Sequence, residues 1–155
     1  MEKETLKKIF DFIKKNDNRN VPFIWKLINN EPFTDDELYI KDDLDLSQSN
    51  ITSLPEGLKV GGSLILSRLK ITSLPKSLEV KGSLSLYESE ITSLPEGLKV
   101  GYDLILTYST ITSLPRGLKV EGYIDLKGSK LTKYTEDQLR KMVKPGYIKG
   151  RIIKF

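Results

Sequence analysis

The chain has no cysteine and no histidine among its 155 residues, and only two methionines and one tryptophan. Without cysteine there is no disulfide, no thiolate nucleophile and no soft metal ligand. Without histidine the side chain that titrates near neutral pH is missing, and with it much acid–base catalysis and the usual zinc sites. No run approaches the roughly 20 apolar residues of a membrane-spanning helix. The opening MEKETLKKIF mixes acids into an amphipathic pattern and lacks the basic, apolar, small-residue order of a secretory leader. The expectation is a non-catalytic cytoplasmic protein with no metal, no cofactor and no membrane association. The net charge of +4 is modest but uneven. Nine Lys and Arg lie between Lys127 and Phe155 against Glu136 and Asp137, whereas TDDELYIKDDLDL at 34–46 is acidic.

The phrase ITSLPEGLKV at 51–60 returns as ITSLPKSLEV at 71–80, unchanged at 91–100, and as ITSLPRGLKV at 111–120. A fixed period of 20 residues marks a solenoid in which each repeat is one coil stacked on the next. LYIKDDLDLSQSN at 38–50 aligns with LKVGGSLILSRLK at 58–70 and with its three later equivalents, so five coils are expected between Leu38 and Leu131. Within a coil the aliphatics keep to columns: Leu58, Val60, Leu64, Leu66, Ile71 and Leu74, then Leu78, Val80, Leu84, Leu86, Ile91 and Leu94. The L-x-V and L-x-L pieces alternate with period two, as strands with one buried face do, which predicts two short parallel strands per coil. Gly61, Gly62, Gly82, Gly101 and Gly122 fall between those strands, where a sharp bend or close approach suits glycine. Pro55, Pro75, Pro95 and Pro115 end the extended run after the last inward Leu. One coil alone buries too little apolar surface to offset the ordering of its own backbone. Stacking adds ladder hydrogen bonds and covers the open faces, so each copy templates the next.

The pattern L-x-L-x-x-x-x-I-x-x-L-P, as in LILSRLKITSLP at 64–75, resembles the leucine-rich repeat, most of all its short bacterial form in secreted effector proteins. It is more similar still to the ITSLPEGLKVGG repeat proteins encoded in bacteriophages and some bacteria. The likeness spans about 38–134. It departs in one column, where Ser49, Leu69, Ser89, Ser109 and Ser129 replace the usual Asn. The fold class expected is mainly β with a helical N-terminal cap: a parallel, leucine-rich-repeat-like β-solenoid of five coils of 20 residues, flatter than a horseshoe. The resemblance implies a small phage or mobile-element protein of the bacterial cytoplasm whose partner is a host factor, with inhibition of a CRISPR-type nuclease (an anti-CRISPR role) as the most specific expectation.

Three segments follow from the pattern: a helical cap at 1–37, the solenoid at 38–134, and a C-terminal cap of short helix plus strand at 135–155. TLKKIFDFIKK at 5–15 puts Leu6, Ile9, Phe10 and Ile13 on one helical face. Asn20 caps a second helix with Pro22 in its first turn, running through Phe23, Ile24, Trp25, Leu27 and Ile28 to Asn29–Asn30. TEDQ at 135–138 is a capping box opening a helix with Leu139, Met142 and Val143 inward. YIKGRIIKF at 147–155 alternates as a terminal strand or tight hairpin. Its edge leaves both a monomer and a weak homodimer open.

Because the inward columns hardly vary, information about a partner lies in the outward columns that do. Along the L-x-L strand these read Asp45, Ile65, Ser85, Ile105 and Asp125, then Ser47, Ser67, Tyr87, Thr107 and Lys127, then Gln48, Arg68, Glu88, Tyr108 and Gly128. Ile65, Arg68, Tyr87, Ile105 and Tyr108 are the candidate centre of a protein-binding face, since interface hot spots favour aromatics and Arg. Glu88 and Asp103 supply charge at its rim, with Tyr102 and Tyr123 beside them. The competing reading is that β-branched and aromatic residues simply suit an exposed sheet. Arg140, Lys141, Lys144, Lys149, Arg151 and Lys154, interleaved with Tyr134, Tyr147 and Phe155, are candidate contacts to a nucleic-acid backbone or merely a solvated surface. A nucleic-acid binder and a structural or assembly protein are the alternatives to a protein-binding module.

Overall fold

The computed structural model describes Lys7 and residues 23–155. The helix expected over 5–15, and the expected start of the second helix at Asn20 and Pro22, lie outside the described residues. Helix α1 (Phe23–Asn29) buries Trp25 and packs Phe23 and Leu27 against the solenoid core, leaving Ile24 and Ile28 exposed. Lys26 locks the loop that follows: its Nζ lies 2.6 Å from the Glu37 carboxylate and donates to the Pro32 carbonyl at 3.1 Å. Glu37 also accepts from the Thr34 amide, and its carboxyl is held below the usual range, chiefly by Lys26.

Beyond this cap, two-residue strands alternate between two parallel sheets. β1 (Tyr39–Ile40), β3 (Lys59–Val60), β5 (Glu79–Val80), β7 (Lys99–Val100), β9 (Lys119–Val120) and β11 (Tyr147–Ile148) form one. β2 (Leu44–Asp45), β4 (Leu64–Ile65), β6 (Leu84–Ser85), β8 (Leu104–Ile105), β10 (Ile124–Asp125) and β12 (Ile152–Ile153) form the other. The chain is a parallel β-solenoid, and its register is the sequence period: Leu44, Leu64, Leu84, Leu104 and Ile124 stand in line. The aliphatic columns all point into one continuous core between the sheets.

At the far end, a 3₁₀ turn (Lys130–Lys133) leads into helix α2 (Glu136–Met142). The Thr135 hydroxyl accepts from the Gln138 amide while the Gln138 side chain accepts from the Thr135 amide, so the capping box is formed as expected. Leu139 and Val143 are buried. YIKGRIIKF is neither a lone strand nor a hairpin. Tyr147 stands opposite Lys119 and Ile152 opposite Ile124, so β11 and β12 join different sheets and make a sixth, longer coil with α2 looped out of it.

Two further devices hold the stack, and a third tightens each coil. At the corner between the sheets, the Gly82 amide donates to the Gly62 carbonyl (2.8 Å), Tyr102 to Gly82 (3.1 Å), Gly122 to Tyr102 (2.9 Å) and Gly150 to Gly122 (2.8 Å). One residue on, each side-chain oxygen accepts from the next coil: Ser63 N–H to Asp43 Oδ1 (2.6 Å), Ser83 to Ser63 Oγ (3.2 Å), Asp103 to Ser83 Oγ (3.2 Å) and Tyr123 to Asp103 Oδ1 (3.0 Å). The serine column works within a coil, where the hydroxyls of Ser49, Ser89 and Ser109 donate to the carbonyls of Leu46, Leu86 and Leu106. Short side chains of the Asp/Ser corner column thus bond between coils, whereas those of the serine column bond within one.

Backbones approach so closely at this corner that Gly82, the only corner glycine of its coil, has no room for a side chain. A Cβ there would stand 2.5 Å from the Gly62 carbonyl carbon and oxygen and 2.6 Å from the Ser63 nitrogen. Gly82→Ala is expected to lower the unfolding free energy by about 1–3 kcal/mol, as overpacking does, read as an earlier midpoint in urea. An unchanged midpoint would mean that the coils are not in backbone contact here.

Candidate interaction surface

Each coil leaves the β2-type strand through a tight turn. Ser49, Ser89, Ser109 and Ser129 donate their amides to Leu46, Leu86, Leu106 and Leu126 three residues back, closing a β-turn. The residue before each serine then takes a positive φ: 57° at Gln48, 51° at Glu88, 55° at Tyr108 and 67° at Gly128, with 60° at Arg68 in the equivalent place. A turn of this kind asks for glycine at that position, and a side chain there costs roughly 1–2 kcal/mol of backbone strain. Only the fifth coil uses glycine. The amides of Gln48, Arg68, Glu88 and Tyr108 still donate to the next coil, so the position belongs to the ladder although its side chain points away from the core.

Three of those side chains, Arg68, Glu88 and Tyr108, gather around Tyr87. Arg68 Nε donates to Glu88 Oε2 at 2.7 Å, and the Tyr87 hydroxyl donates to Glu88 Oε1 at 2.6 Å. The Arg68 guanidinium lies 5.7 Å from the Tyr87 ring centroid, and Tyr87 meets Tyr108 edge to face at 6.1 Å. Tyr108 remains 59% exposed, its ring lying over Gly128 where any Cβ would collide with it. Hydrogen bonds from Tyr87 first, and Arg68 second, hold the Glu88 carboxyl below the ordinary range, and Glu88 in turn raises the Tyr87 hydroxyl.

The nine residues expected to form one face are divided. Arg68, Tyr87, Glu88 and Tyr108 gather at the turns. Ile65 and Ile105 sit on β4 and β8 on either side of Ser85, half-buried where fuller exposure was expected. Tyr102, Asp103 and Tyr123 lie at the opposite ends of these strands, beside the corner. Tyr102 is 65% exposed and occupies a column that holds glycine in four other coils; Gly101 gives its coil the close approach instead. Asp103 is spoken for by the Tyr123 amide in the corner ladder. That ladder was missed from the sequence, although a column reading Asp43, Ser63, Ser83, Asp103 is a run of short acceptors.

Three of the six basic candidates have partners within the chain. The Arg140 guanidinium donates to the carbonyls of Ile148 and Gly150. Lys149 and Tyr147 both bond the Glu121 carboxylate, and Lys154 Nζ donates to the Tyr134 carbonyl at 3.1 Å. Lys141, Lys144 and Arg151 are exposed. In the acidic stretch, Asp45 caps the Ser47 amide at 2.8 Å and Asp43 serves the ladder. Among the described residues no three acidic side chains gather to hold a metal ion, and no helix is long and apolar enough to cross a membrane.

The fold and this surface define a capped repeat solenoid with a polar–aromatic ridge along its turns. Comparison with protein-family models, curated proteins and solved structures finds no match.

Because Glu88 titrates low, the cluster is intact above the ordinary glutamate range and is lost as pH falls through the lowered midpoint. Tyr87→Phe removes the largest cause, so the Glu88 midpoint, followed by carboxyl NMR, should rise toward the ordinary glutamate range. A midpoint that stays where it was would remove Tyr87 as the cause.

Proposed function

We propose that this protein is a non-catalytic binding module whose partner, another protein, docks on the ridge formed by Arg68, Tyr87, Glu88 and Tyr108, with Ile65 and Ile105 beside it and Tyr102 at the far edge. The observation that supports this most is the positive-φ column. Gln48, Arg68, Glu88 and Tyr108 stand where the turn favours glycine, and strain of that kind persists where side chains serve something other than folding. The cluster also has the make-up of an interface hot spot: two tyrosines and an arginine, fixed in advance by mutual contacts, at low entropic cost to a partner.

The resemblance to phage-borne repeat proteins extends the reading to a bacterial host factor, for which a CRISPR-type defence nuclease is the specific candidate. That extension rests on the resemblance alone. Nucleic-acid binding through the basic end is less well supported, because Arg140, Lys149 and Lys154 are engaged within the chain.

The test is affinity purification of the tagged protein from bacterial lysate, treated with nuclease and washed at high salt. A partner retained by the wild type should be lost with Tyr108→Ala, at a cost of about 2 kcal/mol, the size of a hot spot. Recovery that needs nucleic acid and low salt would overturn the reading, as would undiminished capture by Tyr108→Ala combined with Arg68→Ala.

A further inference from the structure

The two sheets end differently at the C-terminal coil. In the β11 sheet the amides that flank the strand donate to the earlier coil, as Lys149 does to Val120 and Gly150 to Gly122. A seventh coil would therefore be received by the carbonyls of Ile148 and Gly150, and those two are the groups that the Arg140 guanidinium takes. Arg140 covers these two carbonyls as a further coil would.

The β12 edge has no such closure. In its sheet Ile124 and Leu126 donate to Arg151 and Ile153 of the last coil. By the same register the amides of Ile152 and Lys154 face outward, and among the described residues nothing accepts from them. Beside them runs an open groove of about 560 Å³, floored by β12 and walled by Glu136 and Arg140 of α2. Four cations, Arg140, Lys149, Arg151 and Lys154, line it against the acid Glu136, and of the four Arg151 is the one whose side chain has no partner among the described residues. Ile153 continues the outward column of Ile65 and Ile105, and Phe155, 93% exposed, follows it.

We propose that this groove is a second binding site, distinct from the turn ridge, that takes an extended acidic peptide of a partner protein by strand addition to β12. The Ile152 and Lys154 amides donate to its backbone carbonyls, and Arg151, in a groove of net positive charge, meets its carboxylates. Its apolar side chains lie along Ile153 and Phe155. An unpaired edge gives affinity through backbone bonds, and the flanking charge selects the sequence. A nucleic-acid strand satisfies the cations but brings no backbone carbonyls in strand register.

The probe is a fluorescein-labelled octapeptide alternating Glu and Val, with a Lys/Val octapeptide and oligothymidylate as controls. Binding is read by anisotropy and by amide hydrogen exchange on the full chain. The acidic peptide alone should bind, and it should slow exchange at Ile152 and Lys154. Lys154→Pro deletes one donor, whereas Lys154→Gln removes only the charge and the bond to Tyr134. The proline variant is therefore expected to bind about tenfold more weakly than the glutamine variant. Binding without slowed exchange at these two amides in the wild type overturns the proposal even if the proline variant fails to fold. So do equal losses in the two variants, binding of oligothymidylate in place of the peptide, or no binding of the peptide.

Discussion

Everything in this molecule depends on one coil lying against the next at backbone distance. The strands are two residues long, too short to be stable as isolated pairs, and they exist because each coil meets its neighbour at both sheets, at the glycine corner and through the Asp/Ser column at once. A one-residue slip would turn every inward leucine outward. The unvarying period of the first five coils is the direct mark of that constraint, since an inserted residue breaks the ladders unless it is looped out of the coil, as α2 is.

The same constraint sorts positions by what they are free to do. Inward columns are committed to packing and corner columns to close approach, which leaves outward strand positions and the turns. In the turns the chain departs from what folding alone would choose. Glycine satisfies the geometry at Gly128, yet Gln48, Arg68, Glu88 and Tyr108 hold the same left-handed backbone. At the corner, Gly101 supplies the close approach that lets Tyr102 display a ring in the next column. Two separate places thus give up local comfort for exposed side chains, both on the half of the molecule that carries the β2-type sheet.

Much of this was legible in the sequence. The coil period, the two strands per coil, the inward columns and the capping box at Thr135 follow from the patterning. The less legible parts depend on three-dimensional register. The sixth coil was hidden because α2 interrupts the period, so that YIKGRIIKF reads as a separate strand or hairpin. The ladder role of Asp103 was hidden because an exposed-looking acid on a variable column reads as a rim charge; only the position of the Tyr123 amide one coil away reveals its partner. The engagement of Arg140 with Ile148 and Gly150 is likewise invisible to a charge count. Variability singled out Arg68, Tyr87 and Tyr108 as a centre with Glu88 at the rim, but the left-handed backbone that Arg68, Glu88 and Tyr108 share was not legible.

The most direct measurement is the melting temperature of an Arg68→Gly/Glu88→Gly variant. Relief of left-handed strain, roughly 1–2 kcal/mol per residue, offsets the entropy that glycine restores to the unfolded chain, roughly 0.5–1 kcal/mol. The melting temperature is therefore predicted to hold or rise. A fall of more than about 4 °C, over 1 kcal/mol in a domain of this size, would mean that these side chains hold the solenoid together. The ridge would then be part of the scaffold, not a surface displayed on it.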